Sequence, residues 1–301
     1  MQAPAPTLAT TDPRPELPES ARIGAIDCLG PHGFHRMRYT EWGASDNAHV
    51  VICVHGLTRN GRDFDMLAQR LSRRCRVVCP DVAGRGLSDR LTHAEDYGYP
   101  LYLADMAALI ARTGVERVDW VGTSMGGLIG MLLAGQPATP VRRLVINDVG
   151  PFVPRAALER IAGYVGQKLR FDTVTELERY LRKVHAPFGP LTDAQWAHLA
   201  RHSALRLDDG AFSLAYDPGI AHAFRGPIGD VDLWPVWKAI RHPVLITRGA
   251  DSDLLLAQTA REMLDSAPEG SHLEEFAGVG HAPTFMSEDQ IAAVEGFIFP
   301  G

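Results

Sequence analysis

Ser124 stands at the centre of Gly122-Thr123-Ser124-Met125-Gly126, which fits the pattern G-x-S-x-G. The apolar run Val118 to Val121 precedes it, and Leu128, Ile129, Met131, Leu132 and Leu133 follow at helical spacing. The period therefore changes from strand to helix across the corner. A turn that sharp needs flanking glycines, because a Cβ would clash there. It pushes the serine Oγ into the open, near the positive end of the following helix. A serine hydroxyl is a weak nucleophile at neutral pH. It needs a base, and the base needs a third group to fix its tautomer.

The candidate base is His281, in Gly278-Val279-Gly280-His281-Ala282-Pro283. The candidate acid lies in Gly249-Ala250-Asp251-Ser252-Asp253-Leu254, after the penultimate predicted strand. Asp251 and Asp253 are two apart, so either could point at His281 from an extended backbone. Asp253 is favoured, with Asp251 capping backbone N–H groups as turn aspartates do. A tetrahedral intermediate also needs two preorganised donors. The N–H of Met125 supplies one, and the loop after His55-Gly56 supplies the other, most simply from Leu57. Gly56 lets the backbone approach, and His55 ties loops together instead of serving as a second base.

The elements that must position these groups alternate along the chain. Ile23 to Cys28 and His35 to Trp42 read as a hairpin around Gly30-Pro31-His32-Gly33. His49 to Val54 is a continuous apolar run, as a buried central strand should be. Phe64 to Leu71 is helical, Arg76 to Cys79 a strand, Pro100 to Ala111 a helix, and Val141 to Asp148 a strand. His55-Gly56, Asp81, Ser124 and Asp148 all fall at strand carboxyl ends, where doubly wound sheets place their sites.

From about Gly150 the rhythm breaks. Leu158 to Leu169, Val174 to His185 and Thr192 to Leu205 are helix-like, and Thr192 with Gln195 has capping-box spacing. Residues 151–240 are therefore expected to form a helical cap, a lid on a core built from 21–150 and 241–301. Alternation resumes with strands at Pro243 to Gly249 and His272 to Phe276 and a closing helix at Glu288 to Phe299. Residues 1–20 carry five prolines, with no basic start and no apolar stretch, and read as a loose arm and not a secretory signal.

The 301 residues suffice for one large domain with an insertion. A net charge of −6 argues against nucleic acid or an anionic membrane as partner, and no apolar run approaches the roughly 20 residues of a membrane helix. The four cysteines, Cys28, Cys53, Cys75 and Cys79, show no zinc spacing, and a reduced, cytoplasmic setting is expected. No metal or cofactor is called for.

The motifs at His55-Gly56, Asp81 to Asp89, Gly122 to Gly126, the acidic loop 251–253 and Gly280-His281 together resemble the α/β-hydrolase fold family. The likeness runs from Ile23 to the end. It implies a mostly parallel, doubly wound eight-stranded sheet with a helical cap between the sixth and seventh strands. It also implies Ser124 as nucleophile, His281 as base and Leu57 and Met125 as oxyanion donors. Many members place the acid three residues after the loop glycine, where this chain has Ser252, so Asp253 stands as a subgroup variant. A serine at the elbow separates the chain from the similar haloalkane dehalogenases and epoxide hydrolases. Ala282 stands where carbon–carbon bond hydrolases usually carry tryptophan. The run His55 to Phe64 is similar to bacterial carboxylesterases, some of which hydrolyse hydroxyacid polyester oligomers.

The expectation is a serine esterase acting on small carboxylic esters, monomeric or homodimeric. A lactonase or carbon–carbon hydrolase with the same triad is the alternative, and a binding protein without turnover is the rival from another class. Four further sets of side chains merit placement. His198 and His202 are four apart on one helix face, as metal ligands can be, with no acidic third ligand evident. Arg85 and Arg90 read as solvated loop charges, Arg59 as a possible substrate contact, and Trp234 and Trp237 as lid packing.

Overall fold

The computed structural model describes residues 20–301. The arm expected over residues 1–20 lies outside them, except for Ser20. The chain opens with strands β1 (Ala21–Gly30) and β2 (Gly33–Trp42), paired antiparallel as expected. Next come β3 (Val50–Val54), helix α1 (Asp65–Leu71), β4 (Arg76–Pro80), α2 (Tyr99–Thr113), β5 (Val118–Thr123), α3 (Met125–Ala134) and β6 (Val141–Asn147).

Every residue of β3 is buried, and its side chains alternate between two cores. Val50, Ile52 and Val54 join one core, and Val51 and Cys53 join the other. That is why the strand reads as an unbroken apolar run: both sheet faces are covered. Helix α1 supplies Leu67 and Leu71 to the second core. Helices α2 and α3 supply Met106, Leu109, Ile129 and Met131 to the first.

After β6 the chain leaves the sheet for 96 residues, 148–243. Strand β7 (Phe152–Val153) leads into α4 (Arg155–Ala162), α5 (Val174–Val184) and α6 (Asp193–Ser203). The hairpin β8 (Ala204–Arg206) and β9 (Phe212–Leu214) follows, then β10 (Val231–Asp232) and α7 (Trp234–Trp237). Helix α4 is shorter than its sequence pattern suggests, stopping before Gly163. The capping box at Thr192 and Gln195 is formed as the spacing predicts. The segment also contains short strands that the apolar pattern did not reveal. β7 and β10 pair antiparallel, tying its entry to its exit. Helices α5 and α6 share a small core of Leu177, Leu181, Trp196, Leu199 and Ala200, which closes onto Met66 and Met286.

The sheet resumes with β11 (Val244–Gly249), α8 (Ala257–Asp265), β12 (His272–Phe276) and α9 (Glu288–Ile298). Its eight strands run in the order β1-β2-β4-β3-β5-β6-β11-β12, parallel from β4 onward. This is the mostly parallel eight-stranded sheet expected from the sequence, with the helical segment between its sixth and seventh strands. No helix among the described residues is long and apolar enough to cross a membrane.

Candidate active site

Ser124 occupies the corner between β5 and α3 with φ 51° and ψ −113°, a strained conformation for a residue with a Cβ. Tight backbone contacts hold it there. A Cβ on Gly122 would lie 2.2 Å from the carbonyl oxygen of Gly126, and one on Gly126 would lie 2.0 Å from that of Val54. Glycine at both places lets α3 press its first turn against β3. Trp120 Nε1 donates to the Gly126 carbonyl at 3.0 Å, and the Ser124 N–H donates to the Asn147 carbonyl at 2.9 Å.

His281 Nε2 lies 3.1 Å from Ser124 Oγ, so the predicted nucleophile and base meet across 157 residues. The other ring nitrogen, Nδ1, lies 2.7 Å from Asp148 Oδ2. The carboxylate beside the imidazole is thus Asp148, directly after β6, and not the expected Asp253. Asp253 points outward, with its side chain 60% exposed and paired with Arg160 at 2.9 Å. Asp251 is also exposed, and its N–H donates to Val279.

The physical reason is local. Asp148 takes a positive φ of 54° and turns back toward β11, its N–H donating to the Thr247 carbonyl at 2.8 Å. Its fully buried carboxylate then accepts from the Gly249 N–H at 2.9 Å and the Ser252 hydroxyl at 2.6 Å. The acidic loop therefore supplies donors to the carboxylate through Gly249 and Ser252. Asn147 braces the same corner, donating to Thr123 Oγ1 and to the Pro283 carbonyl while accepting from Thr247. Asp148 was visible in the sequence as a carboxylate at a strand end. Its partnership with His281 was not, because it depends on that single backbone turn.

The first N–H groups of a helix lack partners within it, and the Met125 amide opens α3 directly after Ser124. Leu57 follows Gly56, where a Cβ would stand 3.7 Å from the Ser124 Cβ. The Gly56–Leu57 peptide is held by its carbonyl, which lies 2.7 Å from His55 Nδ1. His55 Nε2 accepts the Val82 N–H at 3.0 Å, so Nδ1 carries the proton and donates. His55 is thus a loop tie, as read from the sequence.

His55 is fully buried, and burial pulls its pKa down to about 4. A histidine kept neutral in the fold stabilises it fully above its unfolded pKa of about 6.5. That contribution falls away as pH drops from there to about 4. Unfolding free energy should therefore fall by roughly 2 kcal/mol between pH 7 and 5 from this group alone. Urea unfolding at the two pH values checks it, and His55→Gln should remove that share of the slope.

A small cavity of about 40 Å³ adjoins this corner. Gly56, Arg59, Thr123 and Ala282 line it together with Phe64, Phe188, Leu199 and Met286. Arg59 is bidentate to Asp63 and donates to Ser203 of α6 at 2.9 Å, so its charge is compensated. Phe188 follows Pro187, whose carbonyl accepts the Gly280 N–H at 2.6 Å. Trp237 is buried, its Nε1 donating to Ser266 Oγ at 3.1 Å. Arg90 donates to the Tyr216 carbonyl, at 3.4 Å.

Two side-chain clusters have metal-ligand composition among the described residues. The structure gives His198 and His202 the acidic neighbour that the sequence did not reveal, Asp65. Both Asp65 oxygens, however, accept from Arg62 Nε, at 2.9 and 2.8 Å. Cys28, His35 and Asp105 form the second cluster, where burial pushes the Cys28 thiol up to about 12 and keeps it protonated. Neither cluster contains a residue of the serine site.

The profile of the alpha/beta hydrolase fold matches residues 49–286. The chain belongs to this family. A 3-hydroxybutyrate-oligomer hydrolase of Cupriavidus necator is 49% identical over 289 residues, covering 92% of this chain and 98% of that protein. A 2-(acetamidomethylene)succinate hydrolase of Mesorhizobium japonicum is 31% identical, covering 70% and 76%. The crystal structure of an alpha/beta hydrolase from Novosphingobium aromaticivorans superposes with a TM-score of 0.84 at 37% identity, covering 93% and 98%. This family membership and the 3-hydroxybutyrate-oligomer hydrolase relative are in line with the reading of the motifs as those of an ester hydrolase.

Proposed function

We propose that Ser124, His281 and Asp148 form the catalytic triad of an esterase for short hydroxyacid oligomers, with the Leu57 and Met125 amides as its oxyanion hole. The observation that carries this is the hydrogen-bond chain through the two nitrogens of His281: 3.1 Å to Ser124 and 2.7 Å to Asp148. Imidazole Nε2 takes the serine proton as Oγ attacks the ester carbonyl. The tetrahedral oxyanion leans on the two amides. The alcohol leaves with the proton from Nε2, and the acyl group stays on Ser124. Water, deprotonated by the same nitrogen, then releases the acid and restores the serine. Asp148, acceptor of three donors, holds Nδ1–H and stabilises the imidazolium.

The substrate class rests on the Cupriavidus necator relative, named for hydrolysing 3-hydroxybutyrate oligomers, which are esters of a short hydroxyacid. The narrow, mainly apolar cavity supports short units. Residues 151–240 serve as a cap that dries the site, and residues 21–150 with 241–301 form the catalytic core. The enzyme acts as a monomer or homodimer on small esters, without nucleic acid, which the net charge of −6 supports. A reduced cytoplasmic setting is supported by four buried, unpaired cysteines.

Ser124→Ala should lower hydrolysis of 3-hydroxybutyrate dimer and trimer by about 10⁶-fold and abolish labelling by a fluorophosphonate. Retained turnover in that variant would end the proposal. Faster cleavage of a vinylogous keto-acid than of any ester would shift it to the carbon–carbon reading.

A further inference from the structure

Arg85 is neither solvated nor a surface charge. It is 1% exposed and reaches Leu57 and Met125, the two residues assigned above to the oxyanion hole. Its Nε donates to the Leu57 carbonyl at 2.9 Å, and its Nη2 lies 3.7 Å from the Met125 sulfur. Nη1 donates to the Ala83 carbonyl at 2.7 Å and the Tyr102 hydroxyl at 2.9 Å. The guanidinium also stands over the rings of Tyr102 and Tyr97, at 5.1 and 5.7 Å.

Among the described residues no carboxylate lies within ion-pair distance of it. The neighbouring Asp217 carboxylate is engaged by the Tyr97 hydroxyl at 2.7 Å. The backbone is shaped to hold this arrangement: Gly84 and Gly86 flank Arg85 with φ of 79° and 56°. A Cβ on Gly86 would fall 2.2 Å from an Asp81 oxygen.

Burying a cation without a partner costs several kcal/mol, so folds rarely keep one without a use. Neutral carbonyls and aromatic faces satisfy its N–H groups but leave its charge uncompensated. We infer that Arg85 is a positioning and electrostatic residue of the reaction: it fixes the Leu57 carbonyl and places a buried positive charge behind the oxyanion hole. This rests on the oxyanion assignment made above. The charge does not touch the substrate. It raises the potential where negative charge develops, so it acts on the transition state more than on the bound ester. At an effective dielectric of about 20, a unit charge several ångströms from a developing oxyanion is worth roughly 10- to 100-fold in rate.

The test separates charge from hydrogen bonding. Arg85→Gln keeps a donor but loses the charge, and Arg85→Lys keeps the charge but loses the planar fork. Arg85→Met removes both and serves as a folding control. The measurements are kcat and KM on one short ester, the affinity for a trifluoromethyl ketone that forms an anionic hemiketal, and circular dichroism. Expected are a kcat loss of ~10- to 100-fold in the Gln variant with KM within about threefold. Lys should recover at least about half of that loss on a logarithmic scale. Hemiketal affinity should follow kcat/KM across the series.

If folded Gln variant keeps kcat within about twofold, or matches or exceeds Lys, the electrostatic role is overturned and Arg85 is a structural tie. Ser124→Ala run alongside distinguishes the failures. A serine variant that stays active sinks the oxyanion reading itself, whereas an inactive one beside a fully active Gln variant sinks only the role of Arg85.

Discussion

Asp148→Asn should lower kcat for a short ester by about 10⁴-fold, while Asp253→Asn should leave it within about twofold. With its oxygen in the place of Oδ1 the amide at 148 can still accept from the Gly249 N–H, and its NH₂, in the place of Oδ2, can donate to the Ser252 hydroxyl oxygen, so the corner should fold. Its NH₂, however, would face His281 Nδ1 across the present 2.7 Å and favour the tautomer with the proton on Nε2. That tautomer cannot take the serine proton. Asp253 is mostly exposed and paired with Arg160, and a surface pair of that kind contributes at most about 1 kcal/mol to stability. Steady-state kinetics on the two variants, with circular dichroism to verify folding, decides the matter. A crippled Asp253 variant beside a working Asp148 variant would reverse the assignment of the acid.

Gly126→Ala should be the most damaging single methyl in the molecule. The added carbon would meet the Val54 carbonyl oxygen at 2.0 Å and the His55 carbonyl oxygen at 3.0 Å. Both belong to backbone that cannot swing aside as a side chain tip can. Helix α3 would have to lift from the central strand, carrying Ser124 and the Met125 amide away from His281. A loss above roughly 4 kcal/mol is expected, and with it a drop in Tm of at least about 10 °C and loss of turnover. Gly296 in α9 is the internal control, because nothing lies within 4 Å of a Cβ there. Gly296→Ala should leave Tm unchanged or raise it by a few degrees, since alanine is the better helix former by about 1 kcal/mol. Equal Tm values for the two variants would show that the elbow tolerates more than its contacts suggest.

The sheet, the elbow and the base were legible because each is written in local pattern. Val50 to Val54 announces a doubly covered strand, and Gly122 to Gly126 needs only its neighbours to define a corner. His281 could be found because the loop after the last strand sits at the same sheet edge. The acid was not legible in the same way. Asp148 and Asp253 are both carboxylates next to strand ends, and sequence spacing cannot tell which one turns inward. That choice follows from a positive φ at 148 and from the hydroxyl of Ser252 arriving from the loop after the neighbouring strand β11. Arg85 was hidden for a related reason. A glycine-flanked arginine looks solvated until the glycines are seen to fold it under the neighbouring loop. The short strands β7 and β10, two residues each, carry too little period to register at all.

The bond from the Gly280 N–H to the Pro187 carbonyl joins the loop of the base to the helical segment, one residue from His281. Gly280 has little room for anything larger, because a Cβ there would stand 2.9 Å from the Pro187 ring. Chimaeras that exchange residues 151–240 between relatives must therefore carry a matching acceptor at this seam. Without one, the transplanted roof would loosen the imidazole it covers, and a graft meant to alter substrate preference would be misread as a loss of chemistry.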